Sequence, residues 1–173
     1  MSIPLHHPEG RVHLEDVGDG LTRISVEPSN PSLFVSGAPW KTRYPAALIE
    51  SILEVKGPSH VCDEIRRDED PKYVSLFLRW SLLGYVEPEA FAGKRLLDFG
   101  CGSGASTVIL GRMFPETETV GVELEESLLE IARKRAAFYG NEGVSLRRSR
   151  ACTAPPSAPA GVTTGPGRAP STR

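Results

Sequence analysis

Asp98-Phe99-Gly100-Cys101-Gly102-Ser103-Gly104 sets glycines at alternate positions directly after an apolar run that ends in a carboxylate. Glycine lets the backbone take positive φ and lets a ligand approach with no Cβ in the way. A helix starting after Gly104 aims its free N–H groups at this loop, which favours a ligand carboxylate or phosphate there. Downstream, Thr119-Val120-Gly121-Val122-Glu123 is a second buried run ending in a carboxylate. Glu123 lies where an acidic residue accepts hydrogen bonds from ribose hydroxyls. The chemistry these residues predict is recognition of a nucleotide-type cofactor at the carboxyl ends of parallel strands.

Alternating strands and helices must position them. The pattern predicts a strand at 95–99, a helix at 105–113 ended near Pro115, and a strand at 119–123. A helix follows at 126–139, with Leu128, Ala132, Ala136 and Tyr139 on one face and Gly140 as its stop, and Val144-Ser145-Leu146 begins a third strand. Such alternation implies parallel pairing with right-handed crossovers. Upstream, Val12, Leu14, Leu21, Ile24 and Val26 around Gly18-Asp19-Gly20 predict a hairpin over 11–26. Residues 28–41 read as a loop. Helices are predicted over 45–56, with Pro45 at the first position and Gly57-Pro58 as its stop, and over 71–83, with Asp70 as cap and Gly84 as terminator. Between them the charged stretch Cys62–Glu69 reads as a turn. These boundaries divide the chain into a hairpin and loop segment (1–44), a helical lead-in (45–94), a partial cofactor-binding domain (95–148) and a tail (149–173).

Gly100, Gly102 and Ala105 also fit the dinucleotide fingerprint, so a nicotinamide-dependent oxidoreductase is one reading of the loop. Three features favour S-adenosylmethionine. Asp98 puts negative charge beside the loop, which repels a pyrophosphate and suits a cationic amino-acid ligand. The glycines alternate through Gly104, and residues 1–94 precede the first strand, whereas dinucleotide domains often begin with it.

At these residues the chain resembles the class I S-adenosylmethionine-dependent methyltransferases. Asp98–Gly104 matches that family's first motif and Val120-Gly121-Val122-Glu123-Leu124 its second, and Ile131-Ala132-Arg133-Lys134-Arg135-Ala136 before Phe138 and Tyr139 is similar in character. The resemblance covers about residues 70–148. It implies an α/β fold with a Rossmann-like core, here incomplete at about three parallel strands. It implies S-adenosylmethionine as cofactor, with Gly100, Gly102 and Gly104 at its amino-acid part and Cys101 and Ser103 in the same loop. Asp98 would hold the ammonium, partly through water, and Glu123 the ribose, with Leu124 beside it. The implied activity is in-line methyl transfer to an O, N or C nucleophile of a small molecule, for which proximity and orientation do most of the work. No residue is assigned a catalytic role.

Family members carry on through further strands, yet from Arg147 onward the chain is almost wholly Ala, Pro, Gly, Ser, Thr and Arg. Such a segment cannot bury enough apolar surface to balance its ordering entropy, and is expected to be disordered. A frame-shifted or premature ending of a longer methyltransferase is the expectation, with a genuine disordered tail on a short protein as the alternative; a non-catalytic fragment that holds no ligand is a further reading of the chain. The first strand would then form an open edge.

Other function classes find little support. Net charge is −2, so bulk electrostatics point to neither nucleic acid nor membrane surface. No apolar run approaches the roughly twenty residues of a membrane span. Met1-Ser2-Ile3-Pro4-Leu5-His6-His7 lacks a signal-peptide pattern, and Cys62, Cys101 and Cys152 are too scattered for a disulfide framework. A cytoplasmic protein with reduced thiols is expected. His60, Cys62, Asp63 and Glu64 are ligand types without metal-site spacing; Asp63 or Glu64 is placed near the substrate only by the family resemblance.

Overall fold

The computed structural model describes residues 2–81, 85 and 87–149. Four strands come first: β1 (Ser2–His7), β2 (Gly10–Asp16), β3 (Thr22–Pro28) and β4 (Trp40–Thr42). Three helices follow, α1 (Ala46–Lys56), α2 (Val61–Glu69) and α3 (Pro71–Ser81), then a 3-10 turn at Pro88–Phe91. The α/β part runs β5 (Arg95–Phe99), α4 (Ala105–Met113), β6 (Glu118–Glu123), α5 (Glu126–Tyr139) and β7 (Val144–Arg148). The predicted end of the third helix at 82–84 and the low-complexity stretch 150–173 lie outside the described residues.

The expected hairpin is β2–β3, with Val12 opposite Val26 and Leu14 opposite Ile24. Its turn holds Gly18, Asp19 and Gly20 at positive φ, with the Gly18 N–H donated to Asp16 Oδ1 at 2.9 Å. The hairpin is the middle of a larger antiparallel sheet, β1-β2-β3-β4. β1 is an edge strand and tolerates Pro4, which needs no ladder donor on its outer side. The span read as a loop, 28–41, runs into β4, which is too short to show an alternating pattern.

Pro45 caps α1 from an extended conformation instead of occupying its first turn. Gly57, at φ 70°, ends the helix by donating its N–H to Leu53 O at 2.8 Å. Asp70 caps α3 by accepting the Lys72 N–H at 3.0 Å. The charged stretch read as a turn is the helix α2. Its inward face carries Val61, Cys62 and Ile65 together with Glu64 and Asp68, all buried. Helical spacing is present, but two of its positions are acids, so apolar periodicity alone does not reveal it.

Val12, Leu14 and Ile24 of the sheet pack on Leu48, Ile49, Ile52 and Leu53 of α1 and on Val61, Cys62 and Ile65 of α2. Ile131 of α5 joins the same cluster, so the N-terminal sheet and the α/β part share one core.

β5, β6 and β7 are parallel and in that order, with Leu97 opposite Val120, and Val120 opposite Ser145. Gly121 faces α4: a Cβ there would lie 3.1 Å from Thr107 Cγ2 and 2.8 Å from Leu146 Cδ2. The opposite face presents Leu97 and Phe99 to solvent, 66% and 78% exposed. Among the described residues β5 is an outer strand of this sheet, and no helix is long and apolar enough to cross a membrane.

Candidate cofactor site

The glycine loop leaves β5 and turns back at once. Gly100, Gly102 and Gly104 have φ of 73°, 56° and 81°. The N–H groups of Gly100 and Cys101 both donate to Val122 O, at 2.8 and 3.0 Å, which ties the loop to the end of β6. The Gly104 N–H donates to Cys101 O at 2.9 Å and closes the turn, and Gly104 caps α4.

The glycines do two different jobs. A Cβ on Gly100 or Gly102 would meet nothing within 4 Å, so both border open space. A Cβ on Gly104 would sit 2.6 Å from Ala132 Cβ and 2.9 Å from Ala132 Cα. The first two leave room for a ligand, whereas Gly104 lets α4 start flush against α5.

Glu123 closes the other side. Its Oε2 accepts the Gly102 N–H at 2.8 Å, and its Oε1 accepts the N–H groups of Leu124 at 2.7 Å and Glu125 at 3.1 Å. These backbone donors, that of Glu125 foremost, together with the Lys56 ammonium, hold its carboxyl below the ordinary 4.5 despite partial desolvation. The sequence places Gly102 and Glu123 in separate motifs, and the fold joins them by a hydrogen bond. A depressed folded-state value makes this bond a stabiliser above the ordinary carboxyl range that is lost as pH falls through the folded value. Urea unfolding of the wild-type chain followed from pH 6 to pH 3 is expected to show a component of acid destabilisation below about pH 4.5 that Glu123→Gln lacks; parallel curves for both proteins would contradict this.

Asp98 Oδ2 accepts the Thr107 hydroxyl at 2.6 Å, which anchors its carboxylate to the first turns of α4. Cys101 is buried. Burial first, then the Asp98 and Glu123 carboxylates, push its thiol up to about 11, which disfavours the thiolate form. Leu124 is exposed beside Glu123. The Ser103 side chain faces inward: its hydroxyl donates to Glu64 and accepts from Arg135 Nη1 at 3.2 Å. Of the residues singled out by motif, all are thus brought to the adjoining ends of β5 and β6. Ser103 and Cys101 turn their side chains inward, Ser103 toward α2 and α5 and Cys101 toward Gly121.

Sequence reasoning missed Arg135. The motif comparison contains it as one basic residue among three on α5, yet it is fully buried whereas Arg133 and Lys134 reach the surface. The signal was the 3.6-residue period, which puts Arg135 on the inward side with Ile131, Ala132 and Ala136. Glu64 binds Ser103 and Arg135 in the interior. Cys62 is buried, which pushes its thiol up to about 12. Among the described residues no group of three or more His, Cys, Asp or Glu side chains is placed to hold a metal.

Residues 90–158 match the family model described as a methyltransferase domain. Over 41 residues the chain is 49% identical to the uncharacterized phycocyanin operon protein W of Pseudanabaena tenuis (strain PCC 7409), covering 24% of this chain and 39% of that protein. Over 44 residues it is 41% identical to the trans-aconitate 2-methyltransferase of Acidovorax sp. (strain JS42), covering 25% of this chain and 17% of that enzyme. A solved structure, the N-terminal domain of EvdMO1 with SAH bound, is 35% identical, with a TM-score of 0.33, over 35% of this chain and 26% of that one. The chain spans well under half the length of the curated relatives it matches. Over residues 90–158, which hold the glycine loop, β6 and α5, the chain is similar to methyltransferase domains.

Proposed function

We propose that this chain binds S-adenosylmethionine between the glycine loop and the end of β6, and that it serves methyl transfer to a small-molecule acceptor. The observation that carries the reading is the open space before Gly100 and Gly102, bordered by the Glu123 carboxylate. A ligand in that space meets backbone on one side and an acceptor for paired hydroxyls on the other. Glu123 Oε1 accepts two backbone N–H groups and Oε2 one, so these bonds fix its direction and Oε2 keeps acceptor capacity for a ribose hydroxyl. Asp98, anchored by Thr107, supplies negative charge for the ammonium of the amino-acid part. Leu124 offers an apolar flank for the nucleoside. Bound S-adenosylmethionine supplies an activated methyl group on a sulfonium centre. The chain's own residues bind and orient it, which is the main demand of a direct displacement. The match to a trans-aconitate methyltransferase supports a small acceptor.

Calorimetric titration of the full chain with S-adenosylhomocysteine, with NAD as the control, tests this. Saturable binding of S-adenosylhomocysteine is expected, and Glu123→Ala is expected to weaken it about ten- to a hundredfold, as for loss of hydrogen bonds to a charged group. Binding of NAD alone, or of neither ligand, would overturn the reading.

A further inference from the structure

We propose that Glu64, from the first turns of α2, is a positioning residue for the cofactor loop, acting through Ser103 and itself held by Arg135. The inference rests on the cofactor reading above and adds the part of the N-terminal half on which the loop depends. Ser103 stands between Gly102, whose N–H is held by Glu123, and Gly104, which is packed on Ala132. Both of its oxygens are bound from the interior. The hydroxyl donates to Glu64 Oε1. Arg135 Nη1 donates to the Ser103 carbonyl at 3.1 Å and to Ser103 Oγ at 3.2 Å, and lies 3.4 Å from Glu64 Oε1. Arg135 Nη2 donates to the Glu64 carbonyl at 3.1 Å, so one guanidinium joins α5, α2 and the loop. Exposure is 5% at Glu64, 4% at Ser103 and 0% at Arg135, so water does not compete for these contacts.

This anchor differs in origin from the others that hold the loop. Val122 O, the Glu123 carboxylate and Ala132 all belong to the α/β segment, whereas Glu64 belongs to the helices that precede it. A loop with glycines at positive φ has many accessible conformations, and each lateral tether removes some of them before a ligand arrives. Release of Ser103 lets Gly102 and Gly104 rotate, and binding must then restore their geometry. The loss appears as weaker affinity.

The test compares two buried acids on α2. Asp68, one turn beyond Glu64, accepts from Tyr44 and lies 3.7 Å from Arg135 Nε, but makes no hydrogen bond to the loop itself. Amide hydrogen exchange is measured across residues 100–105 in the unliganded full chain, and S-adenosylhomocysteine affinity by calorimetry. Glu64→Ala is expected to speed exchange across the loop and to weaken affinity about tenfold. Asp68→Asn lowers stability but leaves both readouts near wild type. Ser103→Ala repeats the Glu64→Ala result, and Ser103→Thr, which keeps the hydroxyl, restores it. The serine pair decides the matter where Glu64→Ala fails to fold. Unchanged loop exchange in Glu64→Ala or Ser103→Ala, or equal losses in Glu64→Ala and Asp68→Asn, would overturn the proposal. Should the wild-type chain bind no S-adenosylhomocysteine, the cofactor reading falls, while loop exchange still judges the tether.

Discussion

Replacing Arg135 by methionine is expected to lower the unfolding free energy by about 3–5 kcal/mol, the range for removing one partner of a buried ion pair. The side chain is fully buried, and methionine fills much of its length without its charge. The guanidinium lies between two acids: Nη1 is 3.4 Å from Glu64 Oε1 and Nε is 3.7 Å from Asp68 Oδ1. Arg67 still reaches Glu64 from the surface side at 3.6 Å. Asp68 keeps the Tyr44 hydroxyl but loses its buried cation. The carbonyls of Ser103 and Glu64 also lose their donor. Because the cost lies in stranded acids, adding Asp68→Asn to Arg135→Met should recover part of it, a coupling of roughly 1–3 kcal/mol. Arg135→Lys keeps the charge but not the planar fork, and should fall between wild type and methionine. Urea unfolding of these variants measures all three quantities. A loss below about 1 kcal/mol for Arg135→Met would mean that the cluster is solvated and that its charges carry little.

That cluster also marks where reading the chain succeeds and where it does not. Gly104, Gly140 and the acids Asp98 and Glu123 are legible because each meets a local demand. A left-handed turn needs glycine, and a strand end beside a ligand needs a carboxylate. The bounds of α4 and α5 follow from these residues without any long-range contact. α2 is hidden because the helix buries Glu64 and Asp68 where a simple pattern would put apolar residues. What makes those acids tolerable is Arg135, some seventy positions away, and no window of sequence contains both. β1 and β4 are hidden for another reason: they are edge strands whose pairing with β2 and β3 supplies what their own sequences lack. The inward turn of the Ser103 hydroxyl is set by Glu64, so the glycine motif alone does not give its direction.

The glycine loop offers a sharper separation of packing from binding than any charged residue does. Gly104→Ala is expected to cost about 2–5 kcal/mol of stability, from the left-handed penalty of about 1–2 kcal/mol and an overpacking cost of about 1–3 kcal/mol. The steric part is concrete, since the new methyl would lie 2.6 Å from Ala132 Cβ and 2.9 Å from Ala132 Cα, and the latter is helix backbone that cannot swing aside. Trimming the neighbour tests the cause. Ala132→Gly alone loses about 1 kcal/mol of helix propensity, yet in its background Gly104→Ala should be less harmful by roughly 1 kcal/mol, because only the Cβ clash is relieved. Gly102→Ala has the same conformational handicap at φ 56° but meets nothing within 4 Å. Its stability loss should be confined to about 1–2 kcal/mol. Its methyl occupies the space assigned to the cofactor, so its loss of S-adenosylhomocysteine affinity should exceed that of a folded Gly104→Ala. Urea unfolding and calorimetry on the same two variants give both rankings. Opposite orders in stability and affinity support a loop whose front glycines make room for a ligand and whose last glycine fits one helix to another. The same order in both would mean that the open space before Gly102 is not where the cofactor binds.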